Sequence, residues 1–465
     1  MTSVSVSDLT EAAKNAVDNW GMNFRQKVHG AFADACRRLR IGYVQSSGSS
    51  SLPPLKVGTD CSGAEAPIWA LRAMQVPHEH VFSCDVDENV RKFIKSVCPP
   101  SGSIYCDMLS RDRSGVPAHD VYVAGFPCKP FSSLRRHSTR LMREETAKPF
   151  FEVRRMISHH RPKVAVLENV MGILAVMDKV VAHLQRIPGY IIIVMPINCA
   201  DLGQPVNRPR YYFVLVRRDC ALTSSVDDLA TIVRDIHAAV RSSSHHDVSK
   251  FMLLNSCPAV REFLVAQRQR ADREVARSHR PGSPFSHFAM TSWRQVDAWA
   301  SAKAKQTGNA PAAADVSQAA SRARVMTAVS PTLTPGGQVV VEAARRPIMP
   351  IEKLLLHGFP VHRMAIPSDI GSSAVASLGG STMHVVSVAL ALQIGILLVH
   401  PSSSASLTST ADGKSEVVYP FPVGAMKKST PPASRPRSAR AVKKRPAKKH
   451  RVQAFRRAVF GRQVV

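Results

Sequence analysis

Between Leu55 and Arg218 the chain repeats one pattern, a short apolar run rich in β-branched residues followed by a stretch with helical spacing. The runs are LKVGTDC, HVFSCDVD, SIYCDM, DVYVAGFP, KVAVLENV, YIIIVMPINC and RYYFVLVRR. Strands that alternate with helices predict a doubly wound α/β sheet. Polar residues close several of the runs. Because ligands of such sheets bind outside the carboxyl ends of the strands, we expect these residues to converge on one site.

The flanking composition predicts further segments. Helical apolar spacing with Asp8 as a candidate cap indicates a helix within 7–40, and SSGSSSLPP reads as a linker. The expected organisation is an N-terminal helical extension and linker (1–50), the first part of the α/β domain (51–220), a mildly basic inserted region (221–330), a return segment (331–400) and a basic tail disordered when free (401–465). The apolar run Val385–Val399 is shorter than the roughly 20 residues of a membrane span, which predicts a buried helix and no membrane partner.

Charge indicates a polyanionic partner. The 465 residues carry 62 Lys or Arg against 34 Asp or Glu, a net charge of +28. Residues 427–465 contain 14 of the basic residues and no acidic one. A chain with this balance is typical of nucleic-acid-binding proteins. The stretch KKRPAKK at 443–449 predicts nuclear import; a merely solvating or polyphosphate-binding tail is the alternative.

Cysteine usage favours a reducing compartment. The nine cysteines form no Cys-x-x-Cys pair and no Cys/His pattern with zinc spacing, so we expect free thiols and no metal site.

The strongest chemical motif is GFPCKPFS at 125–132, directly after an apolar strand. A Gly/Pro-shaped loop at a strand end exposes and aims Cys128 as a nucleophile requires, and Lys129 or the arginines beyond it supply positive charge that favours the thiolate. A second strand, VAVLENV, ends in Glu168 and Asn169. A carboxylic acid in such a crevice is a candidate proton donor to a ring nitrogen.

Four blocks, GFPCKPFS, LENV, GQPVNRPRYYFVLV (203–216) and LLLHGFP (354–360), resemble the ordered signature motifs of the cytosine-C5 DNA methyltransferase family. The resemblance covers roughly 55–220 and 330–400. It implies a Rossmann-like S-adenosylmethionine-dependent methyltransferase sheet with a small inserted target-recognition domain at 221–330. It also implies a cytosine flipped out of double-stranded DNA, with the protein acting on DNA as a monomer.

The resemblance assigns roles to residues. Cys128 would be the nucleophile, Glu168 the acid at the cytosine ring, and Arg208 and Arg210 the pair that positions the target base and its phosphate. Asp85 would bind the ribose and Asp107 the adenine amino group. The further cofactor-binding positions implied are Asp60, Cys61, Gly63, Glu65, Val86, Met108, Pro127 and Ser381.

Several positions depart from the family pattern. The stretch LKVGTDCSGAEAPIWAL at 55–71 corresponds to the loop with which the family binds its cofactor, and is called the cofactor loop below. When it is aligned on Gly63, Thr59 replaces an Asp, Cys61 replaces a Phe, and Glu65 and Ala66 replace glycines. Asp60, one place after Thr59, is the alternative source of the missing acid. Elsewhere Lys129 and Val206 each replace a Gln, and Ser381 an Asn.

Two other functions stay open. A transfer-RNA methyltransferase of the same fold is one, although those relatives usually carry Cys-Phe-Thr where this chain has Cys128-Lys129-Pro130. A catalytically inactive DNA-binding relative is the other, suggested by the altered cofactor loop and the basic tail.

Overall fold

An eight-stranded mixed sheet forms the centre of the fold, with the strand order β12-β6-β7-β5-β4-β1-β2-β3. The computed structural model describes residues 4–43, 53–127, 147–244, 246–400 and 415–423. The strands are β1 Leu55–Asp60, β2 His78–Cys84, β3 Ile104–Tyr105, β4 Val121–Ala124, β5 Val164–Val170, β6 Tyr190–Asn198, β7 Pro209–Arg217, β8 Ala312–Asp315, β9 Val325–Thr327, β10 Val339–Val341, β11 Arg346–Pro347 and β12 Glu416–Val418.

Helices cover both faces of this sheet. They are α1 Glu11–Lys14, α2 Trp20–Leu39, α3 Ala66–Ala73, α4 Glu88–Val97, α5 Lys148–His160, α6 Met177–Leu184, α7 Val226–Val240, α8 Pro258–Arg277, α9 Trp293–Lys303, α10 Pro350–Leu356, α11 Ser372–Ser381 and α12 Val385–Leu397. Successive strand residues point to opposite faces, so Val164 and Val166 join the core beneath α2, α3, α7 and α12, whereas Ala165 and Leu167 join the core beneath α5 and α6. Both faces are therefore buried, and the predicted Rossmann-like α/β sheet is confirmed.

One reversed strand shapes the site. β7 runs antiparallel to β5 and β6, while β1, β2, β3, β4 and β5 run parallel to one another. The amino end of β7 therefore lies beside the carboxyl end of β5, with Val170 opposite Arg210. This pairing brings the arginines after residue 207 to the edge where the parallel strands end.

A second, four-stranded antiparallel sheet, β11-β10-β8-β9, belongs to the inserted region. Its small core contains Met290, Trp299 and Val340 and packs under α9. The predicted boundaries differ from this arrangement at both ends. α7 packs against α2 in the large core, and β10 and β11 come from the segment expected to return to the main sheet.

Both termini of the described chain join the main fold. Val28, Phe32 and Cys36 of α2 are buried in the large core, and Thr10 rather than Asp8 caps α1, accepting from the amide of Ala13. At the other end β12 pairs parallel to β6, so residues 416–418, expected within a disordered tail, form an edge strand. Residues 424–465 lie outside the described residues.

The apolar run after residue 384 forms α12, which is almost wholly buried as predicted. Within the described ranges no single helix has the length and apolar composition to cross a membrane; α11 and α12, bent by 40°, meet that test only when taken together.

Candidate active site

Glu168 and Arg210 form an ion pair at the carboxyl edge of the sheet. The Nε atom of Arg210 lies 2.9 Å from the Oε1 atom of Glu168, and each side chain is only 12% exposed. Arg210 also donates through Nη1 to the carbonyl of Pro209 at 2.9 Å. Because both partners are fixed, the carboxyl group of Glu168 has one orientation at the mouth of the site.

The loop that leads to Cys128 passes beside this pair. A Cβ atom at Gly125 would lie 2.8 Å from the Cε atom of Met383 and 3.7 Å from the Oε2 atom of Glu168, so a larger residue would require the flexible end of the Met383 side chain to move. Pro127 is half-buried and ends this described stretch; Cys128 itself lies outside the described residues.

Asn169 forms a hydrogen bond with the backbone of the same loop. Its Nδ2 atom donates to the carbonyl of Phe126 at 3.0 Å, two residues before Cys128. Asn169 is 1% exposed, so this hydrogen bond is shielded from water. The role was not predicted from the sequence, although Asn169 stands beside Glu168 in the LENV block that drew attention to this strand.

Arg208 has a different environment from the one predicted. Its guanidinium is buried and donates to three backbone carbonyls, of Leu333 at 3.0 Å, Gly380 at 3.3 Å and Thr382 at 2.7 Å. Burial and, to a smaller extent, the neighbouring Arg210 lower the pKa of Arg208 to about 10. Arg208 therefore ties the start of β7 to the segments before and after α11. The expectation that Arg208 and Arg210 together position the target base and its phosphate stays a prediction; in this structure the Nη1 and Nη2 atoms of Arg208 donate to the backbone.

The cofactor loop after β1 is held by Asp85, which follows β2. The amide of Gly63 donates to the Oδ2 atom of Asp85 at 3.1 Å, and the amide of Asp87 donates to Oδ1 at 3.0 Å. Gly63 has a φ of 54°, a left-handed conformation that glycine adopts without strain. Burial raises the pKa of Asp85 from its ordinary value, and like charges nearby act in the same direction.

Sulfur atoms and an exposed valine lie beside this loop. The Sγ atom of Cys61 lies 3.9 Å from the Sδ atom of Met108, and burial raises the pKa of the Cys61 thiol well above its usual range, so the thiol stays neutral. Val86 is 74% exposed immediately after Asp85. Asp107 is half-buried and accepts from the amide of Leu109 at 2.9 Å. These residues supply an apolar and an acidic element at the ends of β2 and β3.

Asp60 and Glu65, both predicted to bind the cofactor, point into the protein instead. Asp60 accepts from the Nη2 atom of Arg111 and the hydroxyl of Tyr122, each at 2.6 Å. Glu65 is fully buried, and its Oε1 atom accepts from the hydroxyls of Thr59 at 2.8 Å and Ser83 at 2.7 Å. Both carboxylates are buried, and burial of a charge is unfavourable unless polar partners such as these compensate for it. The role of Asp60 as the substitute acid stays a prediction, and in this structure its Oδ2 atom accepts from Arg111 and Tyr122.

Arg111 was not predicted, and it fixes the loop that carries Asp107 and Met108. Its guanidinium lies 5.2 Å from the ring centres of both Phe82 and Tyr105, and its side chain is 5% exposed in the ion pair with Asp60. Its amide donates to the carbonyl of Asp107 at 3.2 Å. One feature of the sequence indicated such a residue: Asp60 stands at the end of an apolar strand, and a buried carboxylate needs a cation beside it.

Ser381 and Thr382 close the site from the return segment. The Ser381 hydroxyl turns back to the carbonyl of Leu378 at 3.2 Å, away from the cofactor loop. The neighbouring Thr382 contacts the loop after β1, since its Oγ1 atom accepts from the amide of Ala64 at 3.3 Å. Among the described residues no cluster of three His, Cys, Asp or Glu side chains is arranged to hold a metal ion.

A family model described as C-5 cytosine-specific DNA methylase matches residues 61–392. Type II methyltransferase M.NlaX of Neisseria lactamica is 29% identical over 140 residues, which cover 29% of this chain and 43% of that protein. The DNA (cytosine-5-)-methyltransferase DMT5 of Verticillium dahliae is 23% identical over 427 residues, which cover 66% of this chain and 18% of that protein. This chain thus spans less than half the length of either relative.

The fold is also similar to a solved structure. The crystal structure of the S. pombe Dnmt2 methyltransferase superposes with a TM-score of 0.51 and 14% sequence identity, covering 74% of this chain and 98% of that one. At this level of identity the likeness shows a common fold.

Proposed function

The chain belongs to the C-5 cytosine-specific DNA methylase family, and we propose that it transfers a methyl group to C5 of a cytosine in double-stranded DNA. The observation that carries the proposal is the Glu168–Arg210 ion pair beside the loop that leads into Cys128. Family membership supports the reaction, and the geometry supports the assignment of roles to residues.

The proposed reaction needs a nucleophile and an acid on one cytosine ring. Cytosine C5 is a poor nucleophile, so the Cys128 thiolate adds to C6 while Glu168 gives a proton to N3, which makes C5 electron-rich. After methylation of C5, a water molecule takes the C5 proton, the Cys128 thiolate leaves C6, and the N3 proton returns to the Glu168 carboxylate. The ring atoms are not accessible inside a duplex, so the proposal includes flipping of the base.

The other residues position these two groups. Arg210 orients the Glu168 carboxyl group and is the cation available to the flipped base or its phosphate. Asn169 fixes the carbonyl of Phe126 and so the start of the loop that bears Cys128. Arg208 acts through the backbone of the return segment rather than on the substrate.

The proposed methyl donor is S-adenosylmethionine, which supplies an electrophilic methyl group when bound. The chain fits such a molecule at the ends of β2 and β3, where Asp85 and Asp107 offer carboxylates and Val86 an exposed apolar surface. Cys61 and Met108 add polarisable sulfur beside them. Asp85 is suited to ribose hydroxyls because each of its oxygens keeps a further lone pair after accepting one backbone amide.

The remaining assignments concern DNA and location. We propose that the inserted module from α8 to β11 reads the target sequence, and that the 14 basic residues of 427–465 contact the DNA backbone. Action as a monomer and nuclear import through KKRPAKK belong to the same proposal.

The test is transfer of labelled methyl from S-adenosylmethionine to unmethylated duplex DNA and, separately, to transfer RNA. We expect label in DNA cytosine that Cys128→Ala abolishes and that Glu168→Gln reduces by about 10²–10⁴-fold. Cys106→Ala, at an exposed free cysteine, and Glu11→Gln, at an exposed carboxylate, are the matched controls and should keep full activity. Label in transfer RNA alone, or no label together with no cofactor binding, would contradict the proposal.

A further inference from the structure

A cleft of about 400 Å³ lies between the first half of α2 and the segment that follows α7. Resting on the function proposed above, we propose that this cleft binds a backbone phosphate of the DNA, outside the site that holds the target base. The N-terminal helices thereby become part of the DNA-binding surface.

The lining of the cleft has the chemistry of an oxyanion site. Lys27 of α2 and Arg241 after α7 each line it, and no Asp or Glu is among its lining residues. Both cations are exposed, and neither forms an ion pair with a residue in the described ranges. The hydroxyls of Ser243 and Ser244 add hydrogen-bond donors of the kind that contact phosphate oxygens, whereas the Ser242 hydroxyl donates to the carbonyl of Ser244 at 2.7 Å.

One acidic residue, Asp201, lies beside the cleft. Asp201 lines an adjoining hollow together with Arg241, Ser242 and Ser243. Asp201 carries one negative charge, whereas Lys27 and Arg241 carry two positive charges, so the net charge around the cleft is positive. A phosphate group fits this balance better than a cation or a neutral ligand does.

Two backbone hydrogen bonds attach the cleft to the catalytic edge. The amide of Ser242 donates to the carbonyl of Asp201 at 2.9 Å, and the amide of His246 donates to the carbonyl of Gly203 at 3.1 Å. Gly203 has a φ of 81°, and a Cβ atom there would lie 3.2 Å from the Cβ atom of Ser242. Glycine is therefore needed for this close approach.

The connection between β6 and β7, to which the cleft is hydrogen-bonded, also leads to the candidate active site. Gln204, which lines the cleft, lies in the same short connection between β6 and β7 that leads to Arg208 and Arg210. Val386, in the first turn of α12, lines the cleft from the other side, and α12 directly follows Thr382 and Met383 of the candidate active site. A duplex that presents a base to Glu168 thus has its backbone close to this edge.

The experiment measures equilibrium binding of an unmethylated duplex to the full chain as a function of salt concentration. The variant Lys27→Gln/Arg241→Gln removes both cations of the cleft. Arg37→Gln/Lys95→Gln removes the same charge from the far part of α2 and from α4, and is the matched control. Thermal unfolding of each variant checks that it folds.

We expect the cleft variant to lose about tenfold or more in affinity and its slope of log Kd against log salt to fall by about 0.9, because the cleft binds one phosphate and each phosphate contact contributes about 0.9 to the slope. The control should change far less. Equal losses in both variants, or an unchanged slope in the cleft variant, would overturn the proposal.

Inorganic phosphate separates a second source of the same chemistry. If phosphate raises the unfolding temperature of the wild type but not of the cleft variant, while DNA affinity is equal in the two, the cleft binds a free phosphate and the DNA assignment is wrong. Methyl transfer is measured separately with Glu168→Gln, so failure of the cleft proposal and failure of the methyltransferase proposal give different results.

Discussion

Asn169 and Phe126 connect two neighbouring strands of the sheet: the Nδ2 atom of Asn169, in β5, donates to the carbonyl of Phe126 at 3.0 Å, just after β4. Glu168, the residue before Asn169, pairs with Arg210 of β7. One dipeptide at the end of β5 thus fixes the loop that leads to the candidate nucleophile and holds the candidate acid. The described start of that loop and the candidate acid therefore depend on the same strand end.

Asn169→Ala removes the donor to Phe126 and should loosen the loop before Cys128. We expect kcat for methyl transfer to fall by about 10–100-fold with little change in the KM for DNA, since misplacement of a reacting group by about 1 Å has effects of this size. Stability should fall by about 1–3 kcal/mol, because the buried carbonyl loses its partner. Single-turnover kinetics test the first expectation and denaturant unfolding the second. Asn15→Ala, on the N-terminal turn, serves as the control; a rise in KM with kcat unchanged would argue against a positioning role.

Arg210→Lys preserves charge but not the planar guanidinium that contacts both Glu168 and the carbonyl of Pro209. Lysine offers one point charge, so it cannot hold both groups in the same geometry. We expect a loss of about tenfold or more in kcat/KM with affinity for non-target duplex nearly unchanged. An activity equal to that of the wild type would show that only the charge of Arg210 matters.

The strand ends could be predicted from the sequence because the evidence for them is local. Each apolar run has its own period, and the polar residues that follow it, such as Glu168, are adjacent in the chain, whereas the roles of Asp85 and Asp107 were implied by the resemblance to the methyltransferase family. The contacts of Arg208 are of another kind, because its carbonyl partners at Leu333 and Gly380 are 125 and 172 residues away. No pattern in the GQPVNRPR block distinguishes an arginine that binds a base from one that binds a distant backbone.

The same reason explains why the contacts of Asp60 could not be predicted. A carboxylate at a strand end is a candidate ligand-binding residue until its neighbours are known, and the side chain that neutralises it, Arg111, comes from a loop after a different strand. The domain boundaries depend on similar distant contacts. α7 packs on the N-terminal helix α2, and the sequence of neither helix identifies the other as its packing partner.

The Asp60–Arg111 pair gives a test of cofactor-loop positioning. Arg111→Gln should destabilise the protein by about 3–5 kcal/mol, because it leaves the buried Asp60 carboxylate without its cation. Adding Asp60→Asn to that variant removes the unpaired charge and should restore part of the stability. We expect both variants to bind S-adenosylmethionine at least tenfold more weakly, measured by calorimetry, since Arg111 holds the loop with Asp107 and Met108. Normal cofactor affinity in the double variant would assign the pair to stability alone.

Lys353 predicts an unusual dependence of stability on pH. It is 3% exposed, donates from Nζ to the carbonyls of Thr334 at 2.9 Å and Pro335 at 3.3 Å, and burial lowers its pKa to about 8 from 10.5. Between these two pKa values the unfolded chain binds more protons than the folded one, so the free energy of unfolding should rise as pH increases from about 8 to 10.5, by up to about 3 kcal/mol. Chemical denaturation across this range tests it by comparison with Lys353→Met. The stability of the wild type relative to Lys353→Met should rise by up to about 3 kcal/mol between about pH 8 and 10.5 and stay constant below pH 8; curves that run parallel between pH 8 and 10.5 would refute the assignment.

The segment 415–423 divides the C-terminal region into two parts with different expected effects. Val418 is 1% exposed in β12, and the Ser415 hydroxyl accepts from the amide of Tyr190 at 3.0 Å, so this segment covers the edge of β6. A chain that ends at Val423 keeps these contacts and loses the 14 basic residues of 427–465. Its unfolding temperature should equal that of the full chain, while its DNA affinity falls and becomes less dependent on salt.

A chain that ends at His400 loses β12 as well, and the exposed edge of β6 should lower the unfolding temperature and promote aggregation. Unfolding and salt-dependent DNA binding measured on both truncations separate the two contributions. If removal of 424–465 leaves DNA affinity unchanged, the basic region does not contact DNA. If removal of 401–465 leaves stability unchanged, β12 is not part of the folded unit, and the sheet ends at β6.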